Sequence, residues 1–160
     1  MVLAACTLLI CSCGNKTKKN ATTEEMSPTT ELNIRDSVKQ VDGLGKIIEE
    51  IYEGPIPAAD TPGQDYLLTL YKQKDADSGV FDLKQTFKDA DNGEDKIFHT
   101  YGEWMIFDGT SDYPGNKIYQ LTPYGGVNDI NFLLDEEKLH MLDMDMKRIE
   151  SEFNYTLIKK

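Results

Sequence analysis

Between residues 54 and 63 the chain reads Gly-Pro-Ile-Pro-Ala-Ala-Asp-Thr-Pro-Gly, three prolines and two glycines in ten positions. Proline removes a backbone donor and fixes φ, so the stretch excludes helix and excludes a regular central strand. It reads as a shaped loop. Residues 48–53 before it alternate in part and read as a strand. Residues 65–72 after it, Asp-Tyr-Leu-Leu-Thr-Leu-Tyr-Lys, are rich in aromatic, leucine and β-branched side chains and read as the next one.

The same grammar continues. Residues 74–79 form a turn, and Phe81-Asp82-Leu83-Lys84 alternates with Phe87 on the apolar side. Residues 89–95 are a second turn, with an Asn92-Gly93 hairpin signal. Strands at 96–101 and 103–107 flank Gly102, which reads as a bulge. Residues 117–122 form a strand stopped by Pro123, Tyr124-Gly125-Gly126 is a loop, and Ile130, Phe132 and Leu134 alternate beyond it. Short strands with turn chemistry between them predict an all-β antiparallel sandwich or barrel. The last segment has a second period: Leu139, Leu142, Met146, Ile149 and Phe153 are spaced as a helical stripe, with Asp135 placed to cap it and Glu136 and Glu137 in its first turn.

The N-terminus is different in kind. Residues 1–10 are apolar and uncharged, too short to span a membrane and long enough for the core of a signal peptide. Ile10-Cys11-Ser12-Cys13 has the form of a bacterial lipobox, with a branched residue three before Cys13 and a small one just before it. Cys13 is then the lipidated residue; Cys11 fits less well, because bulky Ile10 would occupy the small-residue slot. No Lys or Arg precedes the apolar run, as expected if translation starts upstream. The expected organisation is a signal peptide at 1–12, a lipidated cysteine and flexible tether at 13–46, and a β-domain at 47–160. The tether is Lys-, Thr-, Glu- and Ser-rich, a composition that favours disorder. Within it Ile34, Val38 and Val41 are spaced for one or two helical turns.

Composition closes off several function classes. Residues 48–160 hold 23 Asp/Glu and 11 Lys/Arg, a net −12, which repels nucleic acid. No apolar run reaches the ~18 residues of a spanning helix. All three cysteines, Cys6, Cys11 and Cys13, precede the β-domain, so that domain has neither a disulfide nor a thiolate site. His99 and His140 are its only histidines and no nucleophile motif accompanies them, so neither an enzyme nor a cofactor is expected.

The opening loop resembles that of the NlpE-type copper-resistance lipoproteins, in which Gly-x-hydrophobic-Pro-Cys-Ala-Asp-Cys-x-Gly leads into a long barrel strand. Gly54, Ile56, Pro57, Ala59, Asp60 and Gly63 keep that framework, followed by Leu68-Thr69-Leu70, while the two cysteine slots hold Ala58 and Thr61. Weaker landmarks are Thr100-Tyr101-Gly102-Glu103-Trp104 and Tyr119-Gln120-Leu121-Thr122-Pro123. The resemblance implies a small antiparallel meander β-barrel of lipocalin-like character. It also implies a lipid anchor in the outer membrane facing the periplasm, and roles in copper tolerance or in reporting envelope stress to a sensor protein. It makes the C-terminal segment a hairpin, with strands at 138–142 and 154–158 and a turn at 143–146, where Met146 stands in for the family's glycine.

The family's copper site does not carry over to these positions, because Ala58 has no donor atom and the Thr61 hydroxyl is a poor ligand for a soft ion. Asp60 more readily shapes the turn. His140, Met144 and Met146 are the remaining soft donors, against the reading that they fill gaps or lie exposed. The Asp75-x-Asp77-x-Gly79 and Asp89-x-Asp91-x-Gly93-x-Asp95 runs only loosely resemble calcium loops and read as turns. The aromatics, from Tyr66 and Phe81 to Trp104 and Tyr119, either fill a barrel or line a cavity for a small apolar ligand. A lipocalin-like carrier in the envelope is therefore the alternative function, and a purely structural envelope protein a third.

Overall fold

The computed structural model describes residues 33–57, 63–126 and 128–160. The signal segment, Cys13, the tether up to residue 32, and Ala58, Asp60 and Thr61 lie outside them. Among the described residues, eight antiparallel strands pair in chain order: β1 (Ile47–Ile56), β2 (Gln64–Gln73), β3 (Ser78–Asp91), β4 (Glu94–Asp108), β5 (Lys117–Pro123), β6 (Ile130–Asp135), β7 (Lys138–Met141) and β8 (Thr156–Lys159). β1 also pairs with β8, which closes the meander into a barrel. Nothing among the described residues is a helix long and apolar enough to cross a membrane.

The period of two in each strand builds the interior. Tyr52 and Ile56 from β1, Leu68 and Leu70 from β2, Phe81 and Leu83 from β3, Trp104 from β4, Tyr119 and Leu121 from β5, Phe132, Leu139 and Leu157 form one core. An eight-stranded barrel is just wide enough for such side chains to fill it. Each fully buried one contributes about 1.5–3 kcal/mol. A second cluster lies on the outer wall, where Ile118 and Leu133 face each other across β5 and β6 and are covered by Leu142, Met146, Tyr113 and Phe107.

The structure corrects three local readings. β1 does not end at Glu53 but runs through Gly54 and Pro55 to Ile56, paired with β2 throughout. Proline is tolerated there because the β8 ladder has already stopped at Glu53. The Pro55 carbonyl, and with it the side where its missing N–H would point, faces β8, and Asn154 Nδ2 bonds that carbonyl at 2.9 Å. Gly102 is no bulge: it pairs in register with Phe81 and Pro123. A Cβ there would strike Thr122 O and lie 2.6 Å from the Phe81 ring. The irregularity falls instead in β3 between Phe87 and Asp91, where Asp89 adopts φ 49°.

In the C-terminal segment the hairpin that the resemblance implies forms, as β7 and β8, and the alternative helical stripe does not. Leu139 points into the core, Leu142 packs outside it, and Phe153 is exposed, so the stripe's members do not share a face. Met146 takes φ 60°, the left-handed conformation that the family's glycine would supply. Finally, chain order begins before residue 46. A 3-10 turn, Ile34–Ser37, sets Ile34 and Val38 against Val80 on the outside of β3. The buried Gln73 amide binds Val41 N at 2.6 Å, Val41 O at 3.1 Å and Gly45 O at 2.8 Å. Two buried apolar side chains and three hydrogen bonds offset the entropy that composition alone would leave with this segment.

Candidate functional site

The motif loop joins β1 to β2 at one mouth of the barrel. Its ends are fixed by the fold. Gly54 lies so close to β8 that a Cβ would meet Thr156 O. Pro57 O accepts from Gln64 Nε2 at 3.2 Å, and Gly63 O accepts from Lys88 N at 3.1 Å. Below the loop, Gln85 Nε2 donates to the Tyr66 hydroxyl at 3.0 Å and the Thr100 hydroxyl donates to Gln85 Oε1 at 3.3 Å. Burial pushes the Tyr66 phenol up, and hydrogen bonds from Gln85 and Gln64 oppose that. Phe87 and Phe98 meet edge to face at 5.5 Å over the same mouth. Gln64 Oε1 is buried without a hydrogen-bond partner among the described residues. Among the described residues the lining is amide, hydroxyl and aromatic, a chemistry that orients neutral polar groups and offers no soft donor.

The opposite mouth is built from charge. Glu50 lies on the inner face of β1 with Lys72 and Lys159 each 3.9 Å away, and the Tyr52 hydroxyl donates to its carboxylate at 3.3 Å. Lys72 sits over the Trp104 ring at 5.9 Å and bonds Ala76 O at 3.1 Å. Lys159 lies 5.8 Å over Tyr52. Trp104 stacks on Tyr119 at 5.5 Å and donates to Val80 O. Burial pushes Tyr119 up to about 12, helped by the Glu50 charge. Tyr52 is driven higher still, by burial first and then by Tyr119 and Glu50. Strand parity could have found this group: Glu50 shares a face with Tyr52, and Lys72 shares one with Leu68 and Leu70.

The remaining sequence candidates are held by different partners. His140 Nδ1 bonds the Thr156 hydroxyl at 2.9 Å, and its Nε2 lies 3.5 Å from Asp135. Burial lowers its proton affinity, with Arg148 adding to that. Met144 is 87% exposed, and Met146 packs on the outer cluster. His99 faces outward, 2.9 Å from Asp82 and stacked on Tyr101. The Asp75 run is the β2–β3 turn. In the Asp89 run Asn92 and Gly93 take φ 54° and 89°, a tight hairpin turn, and Asp95 accepts from Asp89 N and Lys88. Among the described residues no group of three or more His, Cys, Asp or Glu is placed to hold a metal ion.

Larger hollows lie on the outer wall. One, of about 600 Å³, is lined by Glu53, Asp65, Leu67, Lys84 and Ile158 on β8, β1, β2 and β3. Another, of about 460 Å³, lies between Val38, Val41, Val80 and Met105.

Neither the curated proteins nor the solved structures give a match to this chain. The model of the NlpE N-terminal domain matches residues 52–152, from the inner half of β1 to the segment before β8, which is more than half of the chain. The motif-loop framework and strands β2 to β7 fall within that span, and the chain belongs to the NlpE N-terminal domain family.

Proposed function

We propose that this chain is a lipid-anchored module of the cell envelope that acts through contacts on its surface. In this reading it reports envelope or surface stress to a sensor protein, as the family implies, without the thiolate copper site and without catalysis. Cys13 is the anchor, holding the domain in the outer membrane on the periplasmic side. One observation carries the reading. The barrel interior is occupied by its own side chains, with Tyr52, Phe81, Trp104 and Phe132 each 2% exposed or less. A lipocalin-like carrier would need that space for its ligand, so the geometry favours an outward-facing binding module over a carrier. The absence of cysteine beyond residue 13 separates it from copper-holding members of the family.

The test is a pair of titrations on residues 33–160, which hold their own core. Under reducing conditions Cu(I) should bind weakly, and a fluorescent fatty-acid analogue should not enter the barrel. Ala58→Cys with Thr61→Cys should raise Cu(I) affinity by at least a hundredfold, by placing two thiolates on one turn. Tight uptake of copper or of the apolar probe by the unaltered protein would overturn the reading.

A further inference from the structure

The wall of the barrel is incomplete beside β4. β5 pairs with β4 from Gly102 to Asp108, whereas residues 94–100 have β3 as their strand partner and no other among the described residues. The direction of the backbone follows from two hydrogen bonds. Ile106 N donates to Asp77 O at 2.7 Å, toward β3, and Tyr101 O accepts from Tyr124 N at 2.8 Å, toward β5. In a strand each residue's N–H and C=O point to one side and alternate along the chain. Even-numbered residues of β4 therefore face β3, and Asp95, Ile97 and His99 turn their N–H and C=O groups out of the sheet. Apolar side chains flank this edge on both faces: Ile97 is 52% exposed on the outer face, Phe98 49% on the inner, and Tyr124 53% where β5 ends.

We propose that residues 95–99 of β4 are a docking edge for an extended, basic segment of a partner protein, added to the sheet as a strand. The occupant's class follows from the chemistry: a row of alternating donors and acceptors at strand spacing is matched by another peptide backbone. Five residues give an edge about 17 Å long. Its alternate side chains would fall against Phe98 on one face and Ile97 on the other. Its charge follows from the surroundings. Around the hairpin tip Asp89, Glu94 and Asp95 outnumber Lys88 and Lys96, and residues 48–160 carry net −12. Two copies of such a domain repel, which disfavours edge-to-edge pairing of the protein with itself. The inference rests on the reading of a surface-acting module and names the surface.

The experiment is hydrogen exchange on the full chain with a synthetic peptide of alternating valine and lysine as probe. In the free protein the amides of Ile97 and His99 should exchange fast while those of Phe98 and Thr100, bonded to β3, are protected. The lysine peptide should slow Ile97 and His99 at least tenfold. A glutamate counterpart should not, and neither should a lysine peptide N-methylated at alternate amides, which blocks pairing without altering the protein. Ile97→Pro, whose lost N–H the fold does not use, should retain the melting temperature within a few degrees and lose the protection. Equal protection by the N-methylated peptide overturns the proposal. So does an edge already protected in the free chain, whether by the chain itself or by dimerisation, and so does failure of the lysine peptide. Uptake of an apolar probe into the interior would instead overturn the surface-acting reading, and would leave the exchange of Ile97 and His99 unchanged.

Discussion

The two mouths of this barrel are closed by opposite means. At one, Glu50 bridges Lys72 and Lys159 beneath Trp104 and Tyr119, and the chain from residue 41 to 45 is bonded to Gln73 beside it. At the other, neutral groups, Gln64, Tyr66, Gln85 and Thr100, hydrogen-bond under the motif loop, and β3 and β4 continue past their neighbours. The charged mouth gains specificity from a few long-range ion pairs that desolvation makes costly to break. The neutral mouth leaves backbone and aromatic surface available. A small barrel without disulfides can thus concentrate its fixed structure at one end and its contacts at the other.

The two ends of the barrel meet at Gly102, where the paired wall gives way to the open edge. Gly102→Val would drive a branched side chain into Thr122 O and the Phe81 ring. The expected cost is about 3 kcal/mol, read by urea unfolding, with the flared β3–β4 hairpin lost along with the barrel. A variant as stable as the parent would mean that the two regions are not joined at this residue.

Next comes a matched pair of substitutions, one at each mouth. Glu50→Gln leaves two lysines inside the wall without their counter-charge and should cost about 2 kcal/mol. Gln85→Leu strips one neutral hydrogen-bond partner each from Tyr66 and Thr100 and should cost about 1 kcal/mol. If the order is reversed, the charged mouth is not the stabilising one.

The smallest effect is in alkali. Tyr119 is raised to about 12 and Tyr52 above it, against an ordinary value near 10. A raised value in the fold means that the unfolded chain releases these protons first. Their contribution to stability is therefore complete below about pH 10 and is lost as the pH climbs through 12. Unfolding followed by phenolate absorbance should steepen over that range, and Tyr52→Phe should make the slope shallower. An unchanged slope would place the alkaline sensitivity elsewhere.

Much of this was legible in the chain. Period-two alternation placed the strands, because each has one face in the core, and Asn92-Gly93 marked the hairpin turn that the backbone adopts. The framework of Gly54, Pro57 and Gly63 carried the family. What sequence did not disclose depends on register. Pro55 looks like a strand breaker until β8 is seen to stop two residues earlier. Gly102 looks like a bulge until Phe81 and Pro123 are seen on either side. The open edge of β4 exists because its pairing with β5 reaches no further than Gly102 with Pro123, residues 21 positions apart in the chain. Ile34 and Val38 were visible as a spacing, but the Val80 surface that buries them was not.

The Gln73 clasp also makes the chain's path a mechanical element. Tension arriving from the N-terminal side of residue 33 does not fall first on β1. It meets the apolar seat of Ile34 and Val38 on β3, then three hydrogen bonds to one glutamine at the end of β2. Load therefore enters the barrel through its second and third strands, and β1 with its seam to β8 is shielded from peeling until that clasp gives way.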